Sequence, residues 1–183
     1  GVSEDEELSG NWREAIKSRL PWLVLNLGTA FLASSVIRHF EPTITHLVIL
    51  SGYMTMIAGM GGNAATQALA VTVRRISLND LTDKQAYQTV FKELTVGLIN
   101  GAIIGCIIFL FAVFYDRNPM LGLVVFLAMT GNLLIAGITG ASIPLLLKRI
   151  GIDPAIASSI IITTFTDVLG FLLLLGMASK LLL

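Results

Sequence analysis

Asp167 is the residue of this chain whose type and position most clearly suggest chemistry. It lies in the neutral run Pro154–Ser179, 14 residues after Asp153, and Asp153 with Pro154 is typical of a helix start. At 1.5 Å per residue, the carboxylate would lie about 21 Å along that helix, deep inside an apolar segment. An ionised carboxylate at this depth costs about 2.5–3.5 kcal/mol on insertion scales, so we expect it to have a partner, water or an ion.

Small and hydroxyl-bearing residues surround Asp167 on one face of the predicted helix. At three, four and eight residues before it and three residues after it stand Thr164, Thr163, Ser159 and Gly170. Small residues also favour close packing of helices in lipid, and a protonated Asp167 that only holds helices together is the competing interpretation. Because packing alone does not require an acid, the pattern favours a polar site.

A second polar face recurs at helical spacing in the neutral run Pro42–Val73. Its members are Ser51, Thr55, Gly59, Gly62, Asn63, Thr66 and Ala70. As one straight helix the run would extend about 48 Å, which is longer than a membrane crossing requires. We predict a break at the glycines 59, 61 and 62, where free carbonyl oxygens would suit hard cations. A continuous helix kinked and packed through glycine is the alternative interpretation.

Composition indicates that both faces belong to a membrane protein. Of the 183 residues, 55% are apolar and 13% are charged, whereas about a quarter of the residues in a soluble domain are charged. The 12 basic and 12 acidic residues leave no basic excess for nucleic acid. Five neutral runs each suit one crossing, and they are Leu20–Ile37, Pro42–Val73, Leu94–Tyr115, Asn118–Leu147 and Pro154–Ser179. The predicted fold is an all-α, polytopic membrane protein with five transmembrane helices per chain.

The basic residues predict how these spans are oriented. With a cytoplasmic N-terminus, nine of the 12 Lys and Arg residues fall in cytoplasmic segments and three fall outside, as the positive-inside rule requires. The N-terminus is therefore predicted to be cytoplasmic and the C-terminus to lie outside. In the second cytoplasmic segment, Thr82 and Gln85 form a capping-box pattern, which predicts an interfacial helix there. A solvated linker is the alternative interpretation.

Glycines in the third run predict helix packing, and no motif predicts an enzyme. Gly97, Gly101 and Gly105 repeat at the spacing of close helix contacts in lipid. The sequence contains no HExxH, P-loop, GxSxG or Cys/His cluster, the usual signatures of hydrolytic and nucleotide-dependent enzymes. We therefore predict that the chain is not an enzyme.

Three stretches resemble the MgtE family of magnesium channels. Residues 59–67 (GMGGNAATQ) resemble the glycine–asparagine motif of the family's second transmembrane helix. Residues 143–155 resemble its join between the fourth and fifth helices, and residues 163–171 (TTFTDVLGF) its ion-binding fifth helix. The three motifs together are specific, and the resemblance covers nearly all of residues 20–183.

The resemblance implies a homodimer with a conduction path between subunits, lined by the second and fifth helices. Mg²⁺ would be transported and bound in the pore by Asp167 and Thr163, although oxygen ligands do not separate Mg²⁺ from Mn²⁺, Co²⁺ or Ca²⁺. The implied pore-lining residues are Gly59, Gly62, Asn63, Thr66, Thr164 and Gly170, with Thr66 in place of the Asn of many members.

The resemblance also implies a domain organisation. Full-length members carry cytosolic magnesium-sensing domains, so residues 1–19 would be the end of a cytoplasmic connecting helix. Residues 20–183 would be the five-helix pore domain, embedded in the lipid bilayer of the cell membrane as a multi-pass protein.

A charge argument from the residues themselves favours the same dimer. Mg²⁺ keeps several waters and takes one or two carboxylates, and a two-fold axis beside the fifth helix supplies two copies of Asp167. The predicted function is a magnesium-selective divalent cation channel. A proton- or sodium-coupled secondary transporter with Asp167 as its coupling residue is the alternative, and a non-transporting scaffold is the third hypothesis.

Overall fold

The chain is a bundle of α-helices. In a computed structural model, residues 12–78 and 82–183 are described, except for the side chains of residues 155–157. These residues form six helices and no strand: α1 Trp12–His39, α2 Glu41–His46, α3 Leu50–Leu78, α4 Asp83–Phe114, α5 Pro119–Arg149 and α6 Pro154–Leu181. The all-α prediction is confirmed. Of the predicted connecting helix, residues 1–11 lie outside the described residues.

Four of the described helices are long and apolar enough to cross a membrane. They are α1, α4, α5 and the part of α6 that begins at Ser158, which confirms a polytopic membrane protein. With 29 residues, α3 is as long as the others, but it is not among the four. Its centre carries glycine, Asn63, Thr66 and Gln67, so the polar residues are concentrated in one long helix.

The second neutral run breaks at a different place from the one predicted. α2 ends at His46, where the Leu47 N–H donates to Thr43 O at 2.9 Å, and α3 begins at Leu50. α3 then continues through all three glycines, so the predicted break and its free carbonyl oxygens are wrong. A glycine weakens a helix by about 1 kcal/mol. Packing offsets that cost, because a Cβ at Gly61 would lie 2.3 Å from Nδ2 of the buried Asn132.

α5 lies at the centre of the bundle and packs against α3, α4 and α6. Its first turn is capped by Asn118, whose Oδ1 accepts a hydrogen bond from Leu121 N at 3.0 Å. The glycine face of α4 lies against it so closely that added Cβ atoms would lie 2.4–2.9 Å from α5 atoms. The prediction that Gly97, Gly101 and Gly105 mediate helix packing is therefore confirmed.

α4 begins earlier than the neutral run does. Thr82 and Gln85 form the predicted capping box, with Gln85 Oε1 accepting from Thr82 N at 3.0 Å. The predicted helix is therefore present, and it continues without interruption to Phe114 as part of the long helix. The first three turns of α4 belong to this long helix, and Thr89 and Glu93 in these turns are buried in the bundle.

α1 lies at the edge of the bundle. It packs chiefly against α6, and Ala33 is its one buried residue. Large apolar side chains such as Leu23, Leu27 and Phe31 are exposed, as expected of a helix surrounded by lipid. Residues 12–19 are continuous with this helix, which passes through Pro21.

Candidate functional site

Asn132 of α5 joins the two helices that carry the predicted site. Its Nδ2 donates to Ile57 O of α3 at 2.9 Å, and its side chain is fully buried. Added Cβ atoms at Gly61 of α3 and Gly170 of α6 would lie 2.3 and 2.9 Å from the same Nδ2. The two glycines therefore let α3 and α6 close on Asn132, which fixes the three helices at a common depth.

Asp167 lies one helical turn from this junction, because it precedes Gly170 by three residues on α6. Its side chain is partly exposed. None of the described residues donates a hydrogen bond to its carboxylate or forms an ion pair with it. An Asp that only held helices together within one chain would have such a partner. The carboxylate is instead open to water, to a cation or to a second chain.

The polar face of α3 lies on the surface of the bundle and extends to both sides of Gly61 along the helix. Gly59, Asn63 and Thr66 are exposed, and Gly62 is partly exposed. Added Cβ atoms at Gly59 and Gly62 would meet nothing within 4 Å, so neither glycine is used for packing within the described part of the chain. Polar groups on a membrane helix are costly against lipid, which indicates that water or another protein surface covers this face.

The threonine hydroxyls of the predicted site are bonded to their own helices. Thr163 Oγ1 donates to Ser159 O at 2.8 Å, and Thr164 Oγ1 donates to Ile160 O at 2.7 Å. Thr66 Oγ1 donates to Gly62 O at 2.8 Å. A hydroxyl that donates its hydrogen keeps its lone pairs, so these side chains present acceptors suited to the water around a cation.

The predicted residues lie on two helices that pack against each other. Asp167, Thr163 and Thr164 lie on α6, and the exposed polar face lies on α3. Gly170 is buried against Asn132, so its position is one of helix packing. Among the described residues no three His, Cys, Asp or Glu side chains cluster as metal ligands, so one chain offers a single carboxylate at this place.

Sequence analysis missed Asn26 of α1. With Ser159 and Thr163 it lines a cleft of about 270 Å³ between α1 and α6, and Thr163 lies one turn before Asp167. The signal was present in the sequence, because Asn26 is the one carboxamide in the neutral run Leu20–Ile37. Polar side chains inside membrane spans are costly unless they face a cavity or a partner.

Glu93 was also missed, and Asp167 is therefore not the only carboxylate inside the bundle. Glu93 stands just before the third neutral run, in the segment that the basic residues predict to be cytoplasmic, but it is only 6% exposed. Thr89 and Glu93 continue the four-residue spacing of Gly97, Gly101 and Gly105 toward the start of α4. That spacing was the signal that the packed face of α4 begins at Thr89, two turns before Gly97.

Comparison with known proteins identifies similar sequences. Residues 54–177 match the family model of MgtE, which is described as a divalent cation transporter. The chain is 36% identical over 174 residues to the magnesium transporter MgtE of Enterococcus faecalis, and 35% over 161 residues to that of Bacillus subtilis. It is 32% identical over 165 residues to that of Thermus thermophilus. These alignments cover 95, 88 and 90% of this chain but only 38, 36 and 36% of the relatives, so the chain spans less than two fifths of their length.

Proposed function

The chain belongs to the MgtE family of divalent cation transporters, and on that premise we propose that it forms the membrane part of a magnesium-selective channel. It is a multi-pass protein of the cell membrane, and its family consists of transporters, which agrees with the absence of enzyme motifs. The observation that carries the proposal is Asp167, a partly exposed carboxylate without a partner among the described residues.

The pore would lie between two copies of the chain. Mg²⁺ loses its waters reluctantly and binds through one or two carboxylates while keeping several waters. Two copies of Asp167 across a two-fold axis supply two negative charges, which balance one divalent cation. The exposed polar face of α3 would line the same path and present Gly59, Gly62, Asn63 and Thr66 to the hydrated ion, because nothing in the described part of its own chain covers that face.

The cleft between α1 and α6 would continue this path beyond Thr163. Six waters, at the roughly 30 Å³ that each occupies in the liquid, take up about two thirds of its volume of about 270 Å³. Hydroxyls of Ser159 and Thr163 and the amide of Asn26 would contact those waters rather than the metal. In this arrangement α3 is a membrane span in addition to the four apolar helices, which gives five spans with the N-terminus cytoplasmic and the C-terminus outside. The full-length protein would carry cytosolic magnesium-sensing domains.

Electrical recording from the purified chain in planar bilayers tests the proposal. With MgCl₂ as the only salt and a tenfold gradient, a magnesium-selective channel should reverse near 30 mV, the value for two charges per ion. Uptake into vesicles that requires a proton or sodium gradient, without such a current, would support the secondary transporter instead. A chain that gives neither current nor uptake would support a scaffold.

Cross-linking tests where the two copies meet. In a Cys106→Ser background, which removes the only cysteine, Thr66→Cys should form a covalent dimer in membranes treated with a bifunctional maleimide, because a pore that admits a hydrated ion holds the two Cα atoms beyond the ~7 Å that a disulfide can bridge. Thr66 is exposed on the polar face of α3, so its two copies would approach each other across the pore. Ile107→Cys on the exposed surface of α4 is the matched control and should stay monomeric on non-reducing gels. Equal or stronger cross-linking through Ile107→Cys would contradict a dimer built on α3 and α6.

A further inference from the structure

A second polar cleft lies between α3 and α4, on a different side of α3 from α6. At its mouth is a cavity of about 190 Å³, lined by Asn63, Gln67 and Asn100 among apolar residues. A deeper pocket of about 30 Å³ is lined by Gln67, Asn100 and Glu93. The proposed channel assigns no role to Gln67, Asn100 or Glu93, although each of these side chains carries an oxygen suited to a hard cation.

Helix packing holds the backbone at Glu93 against α5. A Cβ at Gly137 of α5 would lie 2.3 Å from Glu93 O, so α4 and α5 are in direct contact there and lipid is excluded. The Glu93 side chain is only 8% exposed. Taking an ionised carboxylate out of water is costly unless an opposite charge or several hydrogen bonds compensate it.

Basic side chains compensate this charge poorly. Lys92 Nζ lies 3.8 Å from Glu93 Oε1, and the Lys92 side chain is 55% exposed. Charge-assisted hydrogen bonds measure about 2.7–2.9 Å, so this ion pair is loose and solvated. Arg75 of α3 donates to Thr89 Oγ1 at 2.8 Å, one turn before Glu93, and is engaged there.

The two carboxamides of the deep pocket are also unsatisfied. Gln67 and Asn100 are exposed at the surface of the bundle, and neither forms a hydrogen bond with any described residue. Lipid offers no donors or acceptors to replace water. Two amides on facing helices, beside a buried carboxylate, therefore form a set of oxygens that a small cation would satisfy.

Size and charge decide which cation fits. The deep pocket of about 30 Å³ has room for about one water-sized particle, whereas Mg²⁺ with six waters needs about 180 Å³. One carboxylate balances a single positive charge. From this juxtaposition of Glu93, Gln67 and Asn100 we infer a binding site for one Na⁺ ion that has lost most of its water. The bound ion ties α3 to α4, which otherwise make little contact.

Thermal unfolding of the purified chain in detergent, free of divalent ions, tests this site. An ion that binds only the folded chain raises the midpoint by mass action, by about 5 °C or more at ~100 times its dissociation constant. We expect this rise when NaCl replaces choline chloride at constant ionic strength. Glu93→Gln, which removes the charge at nearly constant shape, should abolish the rise, and Asn100→Leu should reduce it. Glu41→Gln, at an exposed acid on α2, should retain it.

Two further variants separate this site from its alternatives. Lys92→Met should keep the Na⁺ response, since the lysine is not the counter-ion. Asp167→Asn should also keep it while losing Mg²⁺ binding, so that failure of the channel proposal and failure of this one are distinguishable. Equal midpoints of the parent chain in NaCl and choline chloride would overturn the inference and leave a pocket filled by water alone. A response that persists in Glu93→Gln would overturn it as well.

Discussion

Asp167→Asn should reduce Mg²⁺ flux by about 10²-fold to 10⁴-fold while the chain remains folded. The estimate follows from a charged contact worth about 1.5–3 kcal/mol for each of two carboxylates in the dimer, at 1.4 kcal/mol per factor of ten. Asn keeps the size and the acceptor oxygen but removes the charge, and no described residue depends on that carboxylate as a partner. Flux into vesicles and calorimetric Mg²⁺ titration measure the loss.

Matched variants identify the cause of that loss. Asp167→Glu should recover part of the flux because it restores the charge, and Glu41→Gln should behave as the parent chain. In the parent, divalent affinity should fall as the pH falls, since protons compete for the paired carboxylates, and in Asp167→Asn this dependence should disappear. Parental flux in Asp167→Asn would remove the acid from the mechanism.

Gly61→Ala should destabilise the folded chain by about 1–3 kcal/mol, the usual range for overpacking a well-packed interior. The added Cβ would lie 2.3 Å from Nδ2 and 3.0 Å from Cγ of Asn132. Asn132 cannot easily turn away, because it is fully buried and donates to Ile57 O. Since α3 and α6 both close on Asn132, separating them should lower Mg²⁺ flux together with the unfolding midpoint.

A double-mutant cycle shows whether the contact with Asn132 is responsible. Asn132→Ala removes the clashing atoms, so Gly61→Ala with Asn132→Ala should be less destabilised than the sum of the single variants. Gly59→Ala, two residues away where a Cβ meets nothing within 4 Å, should be neutral or slightly stabilising, because Ala is the better helix former. Strict additivity of the two changes would show that the cost of Gly61→Ala lies elsewhere.

Local sequence signals were sufficient where the physics is local. The capping box of Thr82 and Gln85 depends on neighbours within one helix, and helical spacing alone puts Gly97, Gly101 and Gly105 on one face. Both features appear as predicted. Long neutral runs likewise identify most of the helices. The acid at 167 and the hydroxyls before it share one face because helical spacing requires it.

Contacts between distant parts of the chain explain the differences. From the sequence alone, Gly61 predicts a break in the helix. In the structure, Asn132, 71 residues later, packs against Gly61 and the helix continues. From the sequence alone, Glu93 is expected in a solvated loop. In the structure, Gly137 of α5 packs against its backbone. In both cases a partner from another helix decides the outcome, and no pattern within one run of the sequence identifies that partner.

The attachment of α1 has a mechanical consequence. This helix is a single rod of 28 residues, about 42 Å long, joined to the rest mainly along one seam with α6. A helix that packs mainly against one neighbour can change its tilt without repacking the centre of the molecule. Among the described helices, α6 is therefore the main one that a displacement at the Trp12 end of α1 would reach, and α6 carries Asp167.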